Sequence, residues 1–224
     1  MQSTMQGMLD DIAADARITA GMTGKTAFDQ RVMDAIACVP REDFVPADQT
    51  RQAYINSPLA IGHGQTISQP YIVALMTDLA QLTPQSVVFE VGAGSGYQAA
   101  ILSLLAKQVF SIERIETLAK NARERLTKLG YANIETHCGD GYHGWPEKAP
   151  FDATLVTAAA SHIPPALVSQ LKPGGRMIIP IGLEYMPQEL MLVTKDSTGE
   201  TEVKSILGVA FVPLITDSDT RSWR

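Results

Sequence analysis

A chain of 224 residues, 45% hydrophobic and with a mean hydropathy of +0.02, suits one soluble α/β domain with additions. No apolar run approaches the ~20 residues of a membrane span, and the polar, acidic residues 1–15 do not read as a secretory signal, so no membrane partner is expected. A net charge of −6 weighs against a nucleic-acid partner, four scattered histidines give no metal-ligand spacing, and two cysteines fit a reduced, cytoplasmic protein.

Residues 1–27 show no clear period and contain Gly7, Gly21 and Gly24, which predicts a loose or partly helical arm. Phe28, Val32, Ile36 and Val39 then recur at three- and four-residue spacing, the mark of a helix that stops at Pro40. Arg41-Glu-Asp-Phe-Val-Pro46 breaks the pattern around the apolar pair Phe44-Val45. In Leu59-Ala-Ile-Gly-His-Gly-Gln-Thr-Ile-Ser-Gln-Pro-Tyr71, glycines 62 and 64 punctuate a loop, and Ile72, Met76 and Leu79 mark one face of the helix that follows. Ser68 and Pro70 make a good helix start, so Ser68 reads either as a hydroxyl cap or as a functional group. No linker or repeat appears. Residues 1–83 therefore read as a helical cap on a core of residues 84–224, the two forming one compact unit.

The most informative stretch is Ser86-Val-Val-Phe-Glu-Val-Gly-Ala-Gly-Ser-Gly-Tyr97. Its apolar, β-branched start predicts a buried strand, and the Ala/Leu-rich residues 98–106 predict a helix. Strand, glycine turn, helix is the opening of a nucleotide-binding βαβ unit. A dinucleotide fingerprint needs its third glycine at position 97, which is Tyr. Here Gly92, Gly94 and Gly96 alternate, with Glu90 two residues ahead of the first, and this Glu-x-Gly-x-Gly-x-Gly resembles motif I of the S-adenosylmethionine-dependent methyltransferases.

Residues 108–112 form the next predicted strand, closed by Glu113-Arg114. Glu113 lies where an acid takes a ribose hydroxyl pair, unless it is a bare surface carboxylate. A helix over 118–129 ends at Gly130, and a strand over 133–138 runs into Gly139-Asp140-Gly141, which is either an adenine-side acid or a plain Asp-Gly turn. Strand 151–156 leads to the small residues Thr157-Ala-Ala-Ala160, which leave space for a methyl group and its acceptor. A helix over 163–171, the turn Lys172-Pro-Gly-Gly175 and strand 176–181 follow. Strands 189–194 and 203–212 then pair around Asp196-Ser-Thr-Gly199. The alternation implies an α/β, Rossmann-like fold: a mostly parallel, seven-stranded sheet with an antiparallel C-terminal edge.

Taken together, these motifs resemble the protein-L-isoaspartate O-methyltransferases along nearly the whole chain. The likeness is carried by Val39-Pro-Arg-Glu-Asp-Phe-Val45, Gly64-Gln-Thr-Ile-Ser-Gln-Pro70, Glu90-Val-Gly-Ala-Gly-Ser-Gly-Tyr97, Gly139-Asp-Gly141, Leu171-Lys-Pro-Gly-Gly175 and Phe211-Val-Pro-Leu214. The Gln-Thr-Ile-Ser block belongs to that family, whereas the glycine motif is common to class I methyltransferases. The resemblance implies methyl transfer from S-adenosyl-L-methionine to the free α-carboxylate of L-isoaspartyl residues in damaged proteins and peptides, by a monomer without a metal. It implies Ser68 as the catalytic residue. It also implies Gln65, Thr66, Ile67, Ser68, Glu90, Gly92, Gly94, Gly96, Glu113, Arg114, Asp140 and Gly141 as cofactor contacts. Some relatives carry His where this chain has Val73, and the stretch after Leu214 diverges. Alternatives in other classes are a cofactor-binding relative without turnover and a methyltransferase acting on small carboxylates. A carboxylate with an ordinary pKa of about 4 is ionised at neutral pH, so the transfer needs no general base, and Ser68 reads as a hydrogen-bond donor that orients the acceptor.

Overall fold

The computed structural model describes residues 3–183 and 185–216. The far ends of the proposed cap and core, including most of the divergent stretch after Leu214, lie outside the described residues. The arm expected to be loose or partly helical is largely helical, in helix α1 (Met5–Ile18): Thr4 caps it through the N–H of Gly7, and Met8, Ile12 and Ala16 bury one face at four-residue spacing. That stripe is short and ends in alanine, so the three glycines masked it. Helices α2 (Ala20–Thr23) and α3 (Gln30–Cys38) follow, and α3 buries Val32 and Ile36 as its period requires. The stretch read as a loop around glycines 62 and 64 is a β-hairpin of β1 (Leu59–Gly62) and β2 (Gln65–Ile67), a separate two-stranded sheet. Helix α4 (Pro70–Leu79) is capped at Gln69, not Ser68, with Pro70 in its first turn. The capping role open to Ser68 is thereby excluded.

The remaining elements are β3 (Val87–Val91), α5 (Tyr97–Ser103), β4 (Gln108–Glu113), α6 (Glu116–Lys128), β5 (Ile134–Cys138), β6 (Phe151–Val156), α7 (Pro165–Ser169), β7 (Leu171–Ile181), β8 (Gln188–Lys195) and β9 (Thr201–Val209). They build one seven-stranded sheet in the order β5-β4-β3-β6-β7-β8-β9. The first five positions are parallel, while β8 and β9 are antiparallel, as expected for this fold class. Leu171, expected to end a helix, instead opens β7: it pairs with Phe151, Arg176 pairs with Ala153, and the residues between bulge outward.

Strand alternation sorts β3 between two cores. Val88 joins a cluster that runs continuously from Met8 through α3 and α4 to α5, so the N-terminal helices and the sheet share one hydrophobic interior. Phe89 and Val91 face the second cluster, where the Phe89 and Phe151 rings stack at 4.8 Å. Polar bonds sew the cap together around α4. The Tyr71 hydroxyl meets that of Thr19 at 2.6 Å, and Asn56 accepts from the Tyr71 N–H while donating to Asp15. Asp78, buried at the far end of α4, accepts from the Asp29 N–H at 2.7 Å and pairs with Lys25 at 2.8 Å. Among the described residues no helix is long and apolar enough to cross a membrane.

The Asp78 carboxylate ties α4 to both the α2–α3 link and the start of α3. Asp78→Ala leaves a buried N–H unmet and a lysine without its partner, so it is expected to lower the unfolding free energy by about 2–3 kcal/mol. Urea denaturation measures this, and an unchanged midpoint contradicts the assignment.

Candidate functional site

The glycine turn is held by the strands beside it. The N–H groups of Gly92 and Ala93 both donate to the Ile112 carbonyl, at 2.8 and 3.2 Å, and the Thr157 hydroxyl donates to the Gly92 carbonyl at 2.7 Å. Gly92 has φ 95° and its missing Cβ would stand 2.4 Å from that Thr157 oxygen, so no other residue fits. The turn forms one wall of a cleft that opens to solvent at the C-terminal ends of the parallel strands, where ligands of open α/β sheets bind.

Glu113, at the end of β4, projects into this cleft. One carboxylate oxygen accepts from the Gly94 N–H at 2.8 Å and the other from Ile115 N–H at 2.9 Å. The acid therefore clasps the glycine turn to the start of α6. Arg114 lines the cleft beside it, and across from them stands Gly141, where a Cβ would strike Val91 at 2.4 Å. A flat group can approach the backbone there and a side chain cannot.

The opposite wall comes from the N-terminal part of the chain. β2 and the residues after it bring Gln65, Thr66, Ile67 and Ser68 to the cleft, and Val73 of α4 lies beneath them. Thr157 and Ala158 close one end together with residues 212–215, which lie alongside through the bridge of Ala159 to Pro213. Gln188 fixes that segment by bonding both the N–H and the carbonyl of Phe211. Among the described residues no His, Asp, Lys or Cys lines the cleft.

Nine of the twelve residues expected at the site thus meet in one place. The other three, Glu90, Gly96 and Asp140, are not among the residues that line it. Alternation along β3 turns Val91 toward the cleft and Glu90 to the opposite face, where it is fully buried and accepts from the Ser111 hydroxyl. Burial pushes the Glu90 carboxyl up to about 8; the Ser111 bond works the other way. Gly96 caps α5 at φ 89° against Leu126, and Asp140 accepts from Tyr142 N–H at 2.9 Å. Tyr97, Gln98 and Ile112 also line the cleft and were not singled out from the sequence. For Tyr97 a signal existed, because it directly follows the glycine motif.

Comparison with known proteins agrees with this geometry. The model of the family described as protein-L-isoaspartate(D-aspartate) O-methyltransferase matches residues 18–219. A protein-L-isoaspartate O-methyltransferase from Polaromonas sp. is 61% identical over 207 residues, covering 92% of this chain and 98% of the relative. One from Nitrosococcus oceani is 56% identical over 92% of this chain and 94% of its own. Among solved structures, a protein-L-isoaspartate O-methyltransferase superposes with a TM-score of 0.79 at 27% identity, over 94% of this chain and 65% of that one. A Plasmodium falciparum protein assigned to the same activity, solved in complex with S-adenosyl-L-homocysteine, gives 0.77 at 26% identity, over 95% and 99%.

The buried Glu90 has a testable thermodynamic consequence. Its carboxyl holds a proton in the folded chain at pH values where the unfolded chain has lost it, so the stability it contributes is present below the unfolded pKa and is lost as pH rises through about 8. The unfolding free energy is expected to fall by about 1–3 kcal/mol between pH 5 and pH 8. Glu90→Gln, which keeps the neutral shape, should flatten that slope. A variant with the parental slope contradicts a protonated Glu90.

Proposed function

The chain belongs to the protein-L-isoaspartate(D-aspartate) O-methyltransferase family, and from that premise we propose how its cleft divides the work. The protein is an S-adenosyl-L-methionine-dependent methyltransferase that esterifies the α-carboxylate of L-isoaspartyl residues in damaged proteins, the first step of their repair. The observation that supports the division of labour is the convergence of two distant segments on one cleft: the glycine turn with Glu113, and the hairpin with Ser68.

The cleft fits the cofactor on its own features. Gly92 and Gly141 leave backbone bare where a side chain would collide, and Glu113 offers a carboxylate beside the turn. In our reading Glu113 takes the ribose hydroxyls, Gly141 lies under the adenine, and Gly92, Gly94 and Arg114 border the rest of the molecule. Gln65, Thr66 and Ile67 cover it from the other side. When bound, the cofactor supplies a methyl group already activated on a sulfonium, so the acceptor needs no deprotonation.

That chemistry explains why no histidine or aspartate lines the cleft among the described residues. An anion meets a cation and charge disappears at the transition state, so the protein gains most by excluding water and aligning the acceptor oxygen. Ile67, Val73, Ala158 and Leu214 exclude water. Ser68 donates its hydroxyl to the acceptor carboxylate and fixes its direction. Glu90, Gly96 and Asp140 serve indirectly, holding β3, the start of α5 and the turn after β5. We propose further that residues 1–83 act as a cap bearing half of the site and residues 84–224 as the cofactor-binding core. We also propose a monomer. A reduced cytoplasmic setting suits its free Cys38 and Cys138.

Paired peptides differing only in an aspartyl or isoaspartyl link, assayed with parental protein and Ser68→Ala, test this reading. The parental protein should methylate the isoaspartyl member alone. Because Ser68 does not cap α4, its substitution should change stability by less than about 0.5 kcal/mol. Its loss falls on alignment, so kcat should drop about tenfold or more while cofactor affinity holds. Equal rates on both peptides contradict the substrate assignment, and a parental kcat in the variant contradicts the role of Ser68.

A further inference from the structure

Arg41 lies between α3 and the hairpin, in a short 3-10 segment (Arg41–Phe44), and is 0% exposed. No carboxylate among the described residues pairs with it. Its terminal nitrogens donate instead to three main-chain carbonyls: Ala53 through Nη1, and Ser57 at 3.1 Å and Ser68 at 3.0 Å through Nη2. The guanidinium also lies over the ring of Tyr97, 5.7 Å from its centroid. Tyr97 is the first residue of α5 and part of the cleft wall. One side chain therefore touches the residue assigned to orient the acceptor and the wall assigned to the cofactor.

As a stabilising device this arrangement is poor. A buried cation without a counter-ion loses its hydration, and here the Arg41 Nε and the Tyr97 hydroxyl are both buried with no hydrogen-bond partner. Burial pulls the Arg41 guanidinium down to about 10, with the charge interaction of the Tyr97 phenol opposing. What the planar fork does supply is direction. It holds two carbonyls from one nitrogen and a third from the other, in a plane set by the ring below, which a point-charge ammonium cannot reproduce. The hairpin needs such an anchor, because a lone two-stranded sheet is marginal by itself.

We propose that Arg41 is a positioning residue for methyl transfer: by gripping the Ser68 carbonyl from a seat on Tyr97, it sets where the Ser68 hydroxyl stands relative to the cofactor end of the cleft. This rests on the orienting role given to Ser68. A role confined to the fold would lower stability but leave the chemical step of folded molecules alone.

A double-mutant cycle separates the two. Arg41→Lys keeps the cation and loses the fork; Arg41→Met keeps the length and removes the buried charge, which favours its folding if the lysine variant fails. Each is made alone and together with Ser68→Ala. Single-turnover methyl transfer to an isoaspartyl peptide, cofactor affinity and the unfolding midpoint are measured on all. With Ser68 present, each Arg41 change should slow transfer at least about fivefold per folded molecule, with cofactor affinity nearly unchanged. On the Ser68→Ala background the same change should slow it no further, since the group it positions is gone. Losses that multiply, a parental rate in the single Arg41 variants, or failure of both to fold each overturn the proposal. A parental rate in Ser68→Ala alone overturns the Ser68 reading together with it. A slowed Ser68→Ala with independent Arg41 losses overturns the Arg41 inference only.

Discussion

The site hangs on a single carbonyl. Ile112, near the end of β4, accepts the N–H groups of both Gly92 and Ala93, and this shared acceptor bends the chain out of β3. Thr157 locks the bend from the β6 side, and Glu113 locks it from above by holding the Gly94 N–H. The parallel register of β3 with β4 and β6 brings those three groups level with the turn. A bend that costs glycine its conformational entropy is thereby held from three sides.

The other wall has a different physical character. Ser68 directly follows a short hairpin, anchored through the cap and not through the main sheet. Its position depends on long-range contacts: Arg41 on its carbonyl, Asn56 on the next helix turn, and the shared core from Met8 to Leu102. A braced cofactor wall and an anchored acceptor wall suit a reaction that needs alignment and dryness more than acid or base.

What was legible in the sequence follows this division. The glycine turn, Glu113 and Gly141 were readable because each sits at the end of a strand whose short apolar run is a local signal. The mostly parallel, seven-stranded sheet with its antiparallel edge followed from alternating elements and a terminal hairpin, whereas the strand order did not. The rest was settled by packing at a distance. Helix α1 hid behind a sparse stripe of Met8, Ile12 and Ala16, and β1 and β2 were too short to show a period. Ser68 beside Pro70 looked like a cap because spacing alone does not say which residue first adopts the cap conformation; Gln69 does. Glu90 was placed at the site by resemblance, and its full burial on the other face of β3 has no local signal. Nothing local to Arg41 says that its acceptors lie 12, 16 and 27 residues on.

The central claim is that this cleft moves a methyl group by desolvation and alignment, with no protein group taking or giving a proton in the chemical step. The most direct measurement is the single-turnover rate of methyl transfer to an isoaspartyl peptide in ordinary and in heavy water, at matched pH-meter-corrected acidity. An unchanged rate is expected, since the bonds made and broken join carbon to oxygen and carbon to sulfur. A clear slowing in heavy water would place a proton in flight at the transition state and contradict the account.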